Sequence, residues 1–178
     1  VALAQNNLKT SGVVGTILHQ DIFQTSFQEE SFDIVYSMGL IEHFADPNRI
    51  IEAHIKLLKK GGTLIITVPN LKGSLSHALN KMMGKEKTLL ATHNLEIMDK
   101  NSLHHLLRNR GVDILKLDYF GPVDLTAAFS GIRTRPVLYM AHLLNQVIGY
   151  ATFFMPGSSY FSPYLVFIGK KEECELCG

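Results

Sequence analysis

Residues 63–68 read TLIITV, with no charged side chain and no strict alternation of apolar and polar positions. Such a run suits a strand covered on both faces, as in parallel sheets. Pro69 and Asn70 stop it. Upstream, Asp46 and Pro47 supply an N-cap and a proline at the first helical position. Ile50, Ile51, Ile55, Leu57 and Leu58 then recur at near-helical spacing. Lys56, Lys59 and Lys60 fall where the helix dipole favours cations, and Gly61 can take the left-handed conformation that closes a helix. The pattern predicts a helix from Asp46 to Gly61. Before it, residues 32–36 read as a short strand with Asp33 inside it. Strand, helix and strand in that order make a crossover unit.

The remaining chain extends the alternation. Residues 1–6, VALAQN, read as helix-like. Residues 13–19, VVGTILH, form a β-branched run that predicts a further buried strand ending at Asp21. Residues 74–83 predict a short helix and 84–87 a polar loop. Asp99 caps a helix with Leu103, Leu106 and Leu107 inward and Gly111 closing it. Residues 112–120 and 164–168 complete the strands. The expected fold class is α/β, a mostly parallel sheet whose last strand has no direction set by the sequence.

A chain of 178 residues with 46% hydrophobic residues can bury one core, so one domain is expected. Lys plus Arg number 17 against 16 acids, and no basic stretch is interleaved with aromatics, which argues against nucleic acid as a partner. Cys174 and Cys177 are too few thiolates for a four-ligand zinc site, so no metal site is assigned and the CxxC reads as a reduced tail of a cytoplasmic protein. No basic flank precedes an apolar run at the N-terminus, so no signal peptide is supported.

In open α/β sheets ligands sit beyond the carboxyl ends of the strands. Asp21, the group Ser37, Met38 and Gly39, and the pair Pro69 and Asn70 hold those positions. On residue chemistry alone, Asp21 is as well read as a cap of a turn, and Ser37 and Met38 as strand-end packing. An ordered series of phrases adds to this: Asp21-Ile22, then SFDIVYS at 31–37, LIEHF at 40–44 and LLKKGGTL at 57–64. In that order and spacing they resemble the class I S-adenosylmethionine-dependent methyltransferases. Lys60 stands where that family usually has proline, a change that Gly61 and Gly62 accommodate.

The resemblance implies a Rossmann-like sheet whose N-terminal strands, with the glycine-rich loop and the acid that holds the ribose, lie before Val1, so the chain reads as a partial domain. It implies S-adenosylmethionine as cofactor. Asp21 would accept from the adenine amino group and the Ile22 backbone N–H would meet a ring nitrogen, while Ser37 and Met38 would line the methionine end. His43, with Glu42 beside it to orient the ring, and His93, in the loop after the third strand, are the candidates for a general base. Both also admit a structural reading. His104 and His105 cannot share a helix face and read as surface. The implied activity is methyl transfer to a small or hydrophobic acceptor, oxygen slightly favoured, by the full-length protein; alone this chain is expected to be inactive. The alternative is a non-catalytic, methyltransferase-like binding module.

Residues 136–169 contain no charged side chain and fall within 121–163 and its flank, an apolar insertion or lid between the last two strands. His142, Asn145, Gln146, Gly149 and Thr152 form one polar stripe on a helix. The first expectation is a cover whose apolar face packs on the protein core. A substrate lid or a helix on a membrane surface through 136–156 is the next reading, and a span the last, because amides are costly in lipid. The same segment favours a hydrophobic or lipid-linked acceptor.

Overall fold

The computed structural model describes residues 1–82, 84, 92–125 and 133–173. Four strands, β1 (Phe32–Met38), β2 (Leu58–Pro69), β3 (Val112–Phe120) and β4 (Tyr164–Lys171), form one sheet in the order β1-β2-β4-β3. β1 and β2 pair in parallel, and β4 inserts antiparallel between β2 and β3. Strands β1, β2 and β3 therefore point one way and β4 the other. The sheet is mostly parallel by strand direction, although both ladders of β4 are antiparallel.

Five helices accompany it among the described residues: α1 (Ala2–Thr10), α2 (Pro47–Leu57), α3 (Ser74–Met82), α4 (Lys100–Leu107) and α5 (Arg135–Thr152). The cap of α2 is as expected, with Asp46 accepting from the Asn48 N–H and Pro47 at the first turn. Asp99 likewise caps α4, accepting from the N–H groups of Asn101 and Ser102. His104 and His105 are exposed. Cys174 and Cys177 lie outside the described residues.

Two boundaries differ from the sequence reading. Helix α2 ends at Leu57, not at Gly61, because Leu58 already pairs with Phe32 across the parallel ladder. Gly61 does adopt φ +71°, but within the irregular start of β2, where Lys59 pairs with Asp33 at 2.8 Å. A side chain at Gly62 would meet the Lys59 carbonyl oxygen of its own strand at 2.8 Å and the Asp33 carbonyl oxygen of β1 at 3.1 Å, so glycine is needed there.

The larger correction concerns residues 13–19, which form no strand. Val14 is fully exposed there. A strand persists where neighbours complete its hydrogen-bond ladder, and among the described residues β1 has β2 on one side and no strand on the other.

The core lies on one face of the sheet. Leu64, Ile66 and Val68 of β2 pack with Leu165 and Phe167 of β4 against Ile50 and Ile51 of α2 and Leu103 and Leu107 of α4. Each such side chain taken fully from water contributes about 1.5–3 kcal/mol. On the opposite face Ile34, Tyr36 and Met38 of β1 stay exposed.

Helix α5 is built the other way round from the expected cover. Its one buried residue is Ala141. Two members of the polar stripe turn toward the protein: Asn145 Oδ1 accepts from the Leu125 N–H at 2.7 Å and Thr152 Oγ1 from the Val123 N–H at 3.0 Å. The large apolar side chains face outward. No helix among the described residues is long and apolar enough to cross a membrane, so the spanning reading is set aside.

Candidate active site

The carboxyl ends of β1, β2 and β3 share one edge of the sheet with the start of β4, since Met38 pairs with Thr67, Pro69 with Tyr164, and Phe120 with Tyr164. Just past β1, Gly39 takes φ +60° and the chain folds into a 3-10 turn, Ile41–His43. Ile41 drives that turn into the core, and Glu42 goes with it, 1% exposed. A carboxylate among apolar neighbours loses its hydration, and burial holds the Glu42 carboxyl above the usual carboxylate range. Backbone hydrogen bonding, then the charges of His43 and His93, act in the opposite direction.

Two bonds fasten residues 92–94 against this turn. The Asn94 N–H donates to the Glu42 carbonyl at 2.6 Å, and His43 Nδ1 lies 3.0 Å from the Thr92 carbonyl oxygen. They bring His93 beside His43, ring centroids 4.5 Å apart. Because a carbonyl only accepts, Nδ1 of His43 carries the hydrogen and Nε2 keeps its lone pair. That Nε2 lies 3.9 Å from Glu42 Oε1. The His93 ring meets Thr92 Oγ1 at 2.8 Å. The structure thus joins the two candidate bases, taken from distant parts of the sequence, around one buried acid.

Ligand atoms of Glu42, His43 and His93 lie within 4.8 Å of one another, a donor set that could also hold a divalent metal. The sequence reading names no metal ligand. What it could offer as a signal is the acid itself, set between Leu40-Ile41 and His43-Phe44.

Ser37 and Met38 fall on opposite faces of β1. Ser37 points to the core face, 6% exposed, and Met38 to the open face. Buried side-chain oxygens without a partner among the described residues are Ser37 Oγ, Glu42 Oε2 and Thr67 Oγ1. All three sit at or just past the carboxyl end of the parallel pair. Ser37 Oγ lies on the core face of the sheet and Thr67, in register with Met38, on the other; buried polar atoms are rarely left unpaired, so each marks a point where a ligand's polar group can be received.

Asp21 caps the 3-10 turn Ile22–Gln24, with Oδ1 accepting from the Phe23 N–H at 2.9 Å. Phe23 stacks edge-on against Phe44 at 5.7 Å and carries the Arg49 guanidinium 4.4 Å above its ring. The Asp21 turn is therefore tied to the residue that follows His43. Ile22 is half-buried and packs against the core.

At the same sheet edge, Asn70 is buried and its Nδ2 donates to the carbonyls of Ser159 and Ser162 at 3.0 and 2.9 Å. It pins the segment that leads from α5 to β4. Beside that segment lies a cavity of about 430 Å³, mostly apolar, whose walls include Phe120, Val123, Tyr150, Phe153 and Tyr164. A larger cavity of about 780 Å³ is lined by Glu52, Lys56 and Arg110 among others, and contains none of the candidate residues.

Residues 1–66 match the family model described as Methyltransferase domain. A ubiquinone biosynthesis O-methyltransferase of Methylococcus capsulatus is 27% identical over 146 residues, 78% of this chain and 60% of its own length. The chain thus spans less than two thirds of that relative's length. Among solved structures, a methyltransferase of Thermotoga maritima, described as a possible histamine N-methyltransferase, superposes with a TM-score of 0.59 at 16% identity, covering 92% of this chain and 67% of that one. A putative methyltransferase of Bacillus halodurans gives 0.56 at 18% identity, covering 97% and 78%.

Proposed function

We propose, from a fold shared with class I methyltransferases and a match of residues 1–66 to a Methyltransferase domain family, that the chain forms the acceptor side and the adenine side of a site for methyl transfer from S-adenosylmethionine to a small or hydrophobic acceptor, through oxygen. The observation that carries this reading is the meeting of His43 and His93 around the buried Glu42, whose Oε2 has no partner among the described residues, just past the carboxyl end of β1.

The residues fit the group they would hold. Asp21 offers carboxylate oxygens beside backbone N–H donors, the complement of an adenine edge. Ser37 and Met38 offer a hydroxyl and a soft thioether where the methionine end would lie. When bound, S-adenosylmethionine supplies an electrophilic methyl carbon on a sulfonium.

The chain's own residues do the rest. His43 Nε2 would take the proton from an acceptor hydroxyl, and Glu42 would stabilise the positive charge the ring gains. The Thr92 carbonyl holds that ring in the required tautomer. His93 closes the other side of the turn. The apolar cavity beside Phe120 and Tyr150 takes the hydrophobic part of the acceptor and excludes water from it. The oxygen preference draws on the relative from Methylococcus capsulatus, named for O-methylation in ubiquinone biosynthesis.

A methyl-transfer screen with labelled S-adenosylmethionine and the full-length protein tests this reading. Phenolic and alkyl hydroxyl acceptors with apolar tails are expected to take label ahead of polar amines. Label passing to amines or thiols alone would remove the oxygen assignment, and none passing to any class would favour a binding module.

A further inference from the structure

Helix α5 carries its polarity inside out. Asn145 and Thr152 spend their hydrogen bonds on the backbone of residues 123–125. The opposite side and the residues that follow expose Tyr139, Leu143, Leu144, Val147 and Phe154. Phe154 is 90% exposed. An apolar helix surface of this length is unusual on a soluble body and marks an interaction face.

Charge identifies the occupant. Between Asp124 and Glu172 the sequence holds no acid, and its charged residues are Arg133, Arg135, Lys170 and Lys171. Arg133 and Arg135 are exposed at the N-terminal end of α5, beside the apolar face. An apolar helix face bordered by arginine, with tyrosines within it, matches the layering of acyl chain and anionic headgroup at a bilayer surface. A second copy of the chain fits less well, since the segment contains no acid with which its arginines could pair. Because no described helix can cross a membrane, the helix would lie along the surface.

We propose that the outer face of α5, with Phe154, docks on an anionic lipid surface, the apolar side chains entering the acyl boundary while Arg133 and Arg135 meet phosphate groups. This docking does not depend on the reaction assigned to the site. It places the mouth of the Phe120 and Tyr150 cavity near the bilayer, since Gly149, Tyr150 and Phe153 line that cavity from the same helix end.

Co-sedimentation of the full chain with vesicles tests it. Binding is expected to phosphatidylcholine vesicles containing phosphatidylglycerol, and weakly to phosphatidylcholine alone. Arg133→Gln and Arg135→Gln should each lower partitioning about fivefold at low salt, and Leu144→Glu with Phe154→Glu should lower it by more than about tenfold. The sequence has no tryptophan, so Phe154→Trp provides a single reporter whose emission shifts to the blue on anionic vesicles. Unchanged partitioning in the arginine and the glutamate variants, or an unshifted reporter, overturns the proposal. So does a dimer in solution that Phe154→Glu dissociates and that has no affinity for vesicles.

Discussion

His43 Nδ1 and the Thr92 carbonyl oxygen are 3.0 Å apart, so a backbone acceptor 49 residues away selects the tautomer that leaves Nε2 basic. Thr92 belongs to the segment that Asn94 fastens to Glu42. Position and tautomer of the proposed base are therefore set by one loop.

Replacing His43 by Ala is expected to lower turnover of the full-length enzyme by about 10²–10⁴, with little change in the KM for the acceptor. His43→Asn separates chemistry from structure, because an Asn side-chain amide can still donate toward Thr92. It should keep the melting temperature and still lose turnover. Steady-state rates and thermal melts of both variants decide the matter. Retained turnover in His43→Asn would move the base elsewhere, with His93 the next to test.

Glu42 is held above the usual carboxylate range in the folded protein, chiefly by burial. The unfolded chain ionises it at lower pH, so the folded state binds the extra proton and this group's contribution to stability falls as pH rises through the folded value. Above the folded value the buried acid ionises at a cost in stability. Glu42→Gln is therefore expected to leave the denaturation midpoint equal or higher near pH 7 while lowering turnover about tenfold, consistent with a side chain kept for function at the expense of stability. A large loss of stability near pH 7 would mark Glu42 as structural.

Asp21 serves an exposed cap, and caps of this kind contribute about 1 kcal/mol. Asp21→Ala should lower stability by no more than that, yet weaken S-adenosylmethionine binding to the full-length protein about tenfold by removing the acceptor for the adenine amine. Calorimetric titration and a denaturant melt on the same preparation compare the two effects. Equal affinity in wild type and Asp21→Ala would leave Asp21 as a cap alone.

Much of the frame is legible in the residues because local chemistry decides it. Asp46 with Pro47, and Asp99, start helices through side chains that bond their own next residues. Strand β3, Val112–Phe120, has the bounds that its pattern indicates. What the residues do not carry is the partner. Residues 13–19 have every local mark of a strand and lack a ladder among the described residues. The stripe on α5 has helical spacing, but spacing cannot say that Asn145 and Thr152 turn inward to serve an irregular segment. The site divides in the same way. Ser37 and Met38 are found from strand ends alone, whereas the meeting of His43 with His93 depends on a loop closing over 49 residues.

Asn70 shows how much a strand-end residue can carry beyond any ligand. It is 2% exposed and its amide donates to two carbonyls, those of Ser159 and Ser162, joining the end of β2 to the segment entering β4. Asn70→Ala deprives the carbonyl of the buried Ser162 of this donor, at a cost of about 1–3 kcal/mol. Urea titration should show a lower midpoint with the slope unchanged. Asn70→Asp should be worse still, since it would turn a carboxylate toward two carbonyl oxygens.

The His54 ring is buried in α2, with Nδ1 donating to the Ile50 carbonyl at 2.6 Å. Burial holds its imidazole below the ordinary histidine value of 6.5, outweighing the bond to Ile50, which acts the other way. Below pH 6.5 the unfolded chain takes up a proton that the folded one resists, so unfolding is favoured increasingly as pH falls from 6.5 toward the folded value. The stability linked to His54 is thus fully present above pH 6.5 and lost on acidification. Urea midpoints measured through that window should fall for the wild type. In His54→Leu, which keeps an apolar group in the same space, this part of the decline should vanish, leaving the shallower slope due to the carboxylates. Parallel curves for the two proteins would show that His54 protonates as readily folded as unfolded.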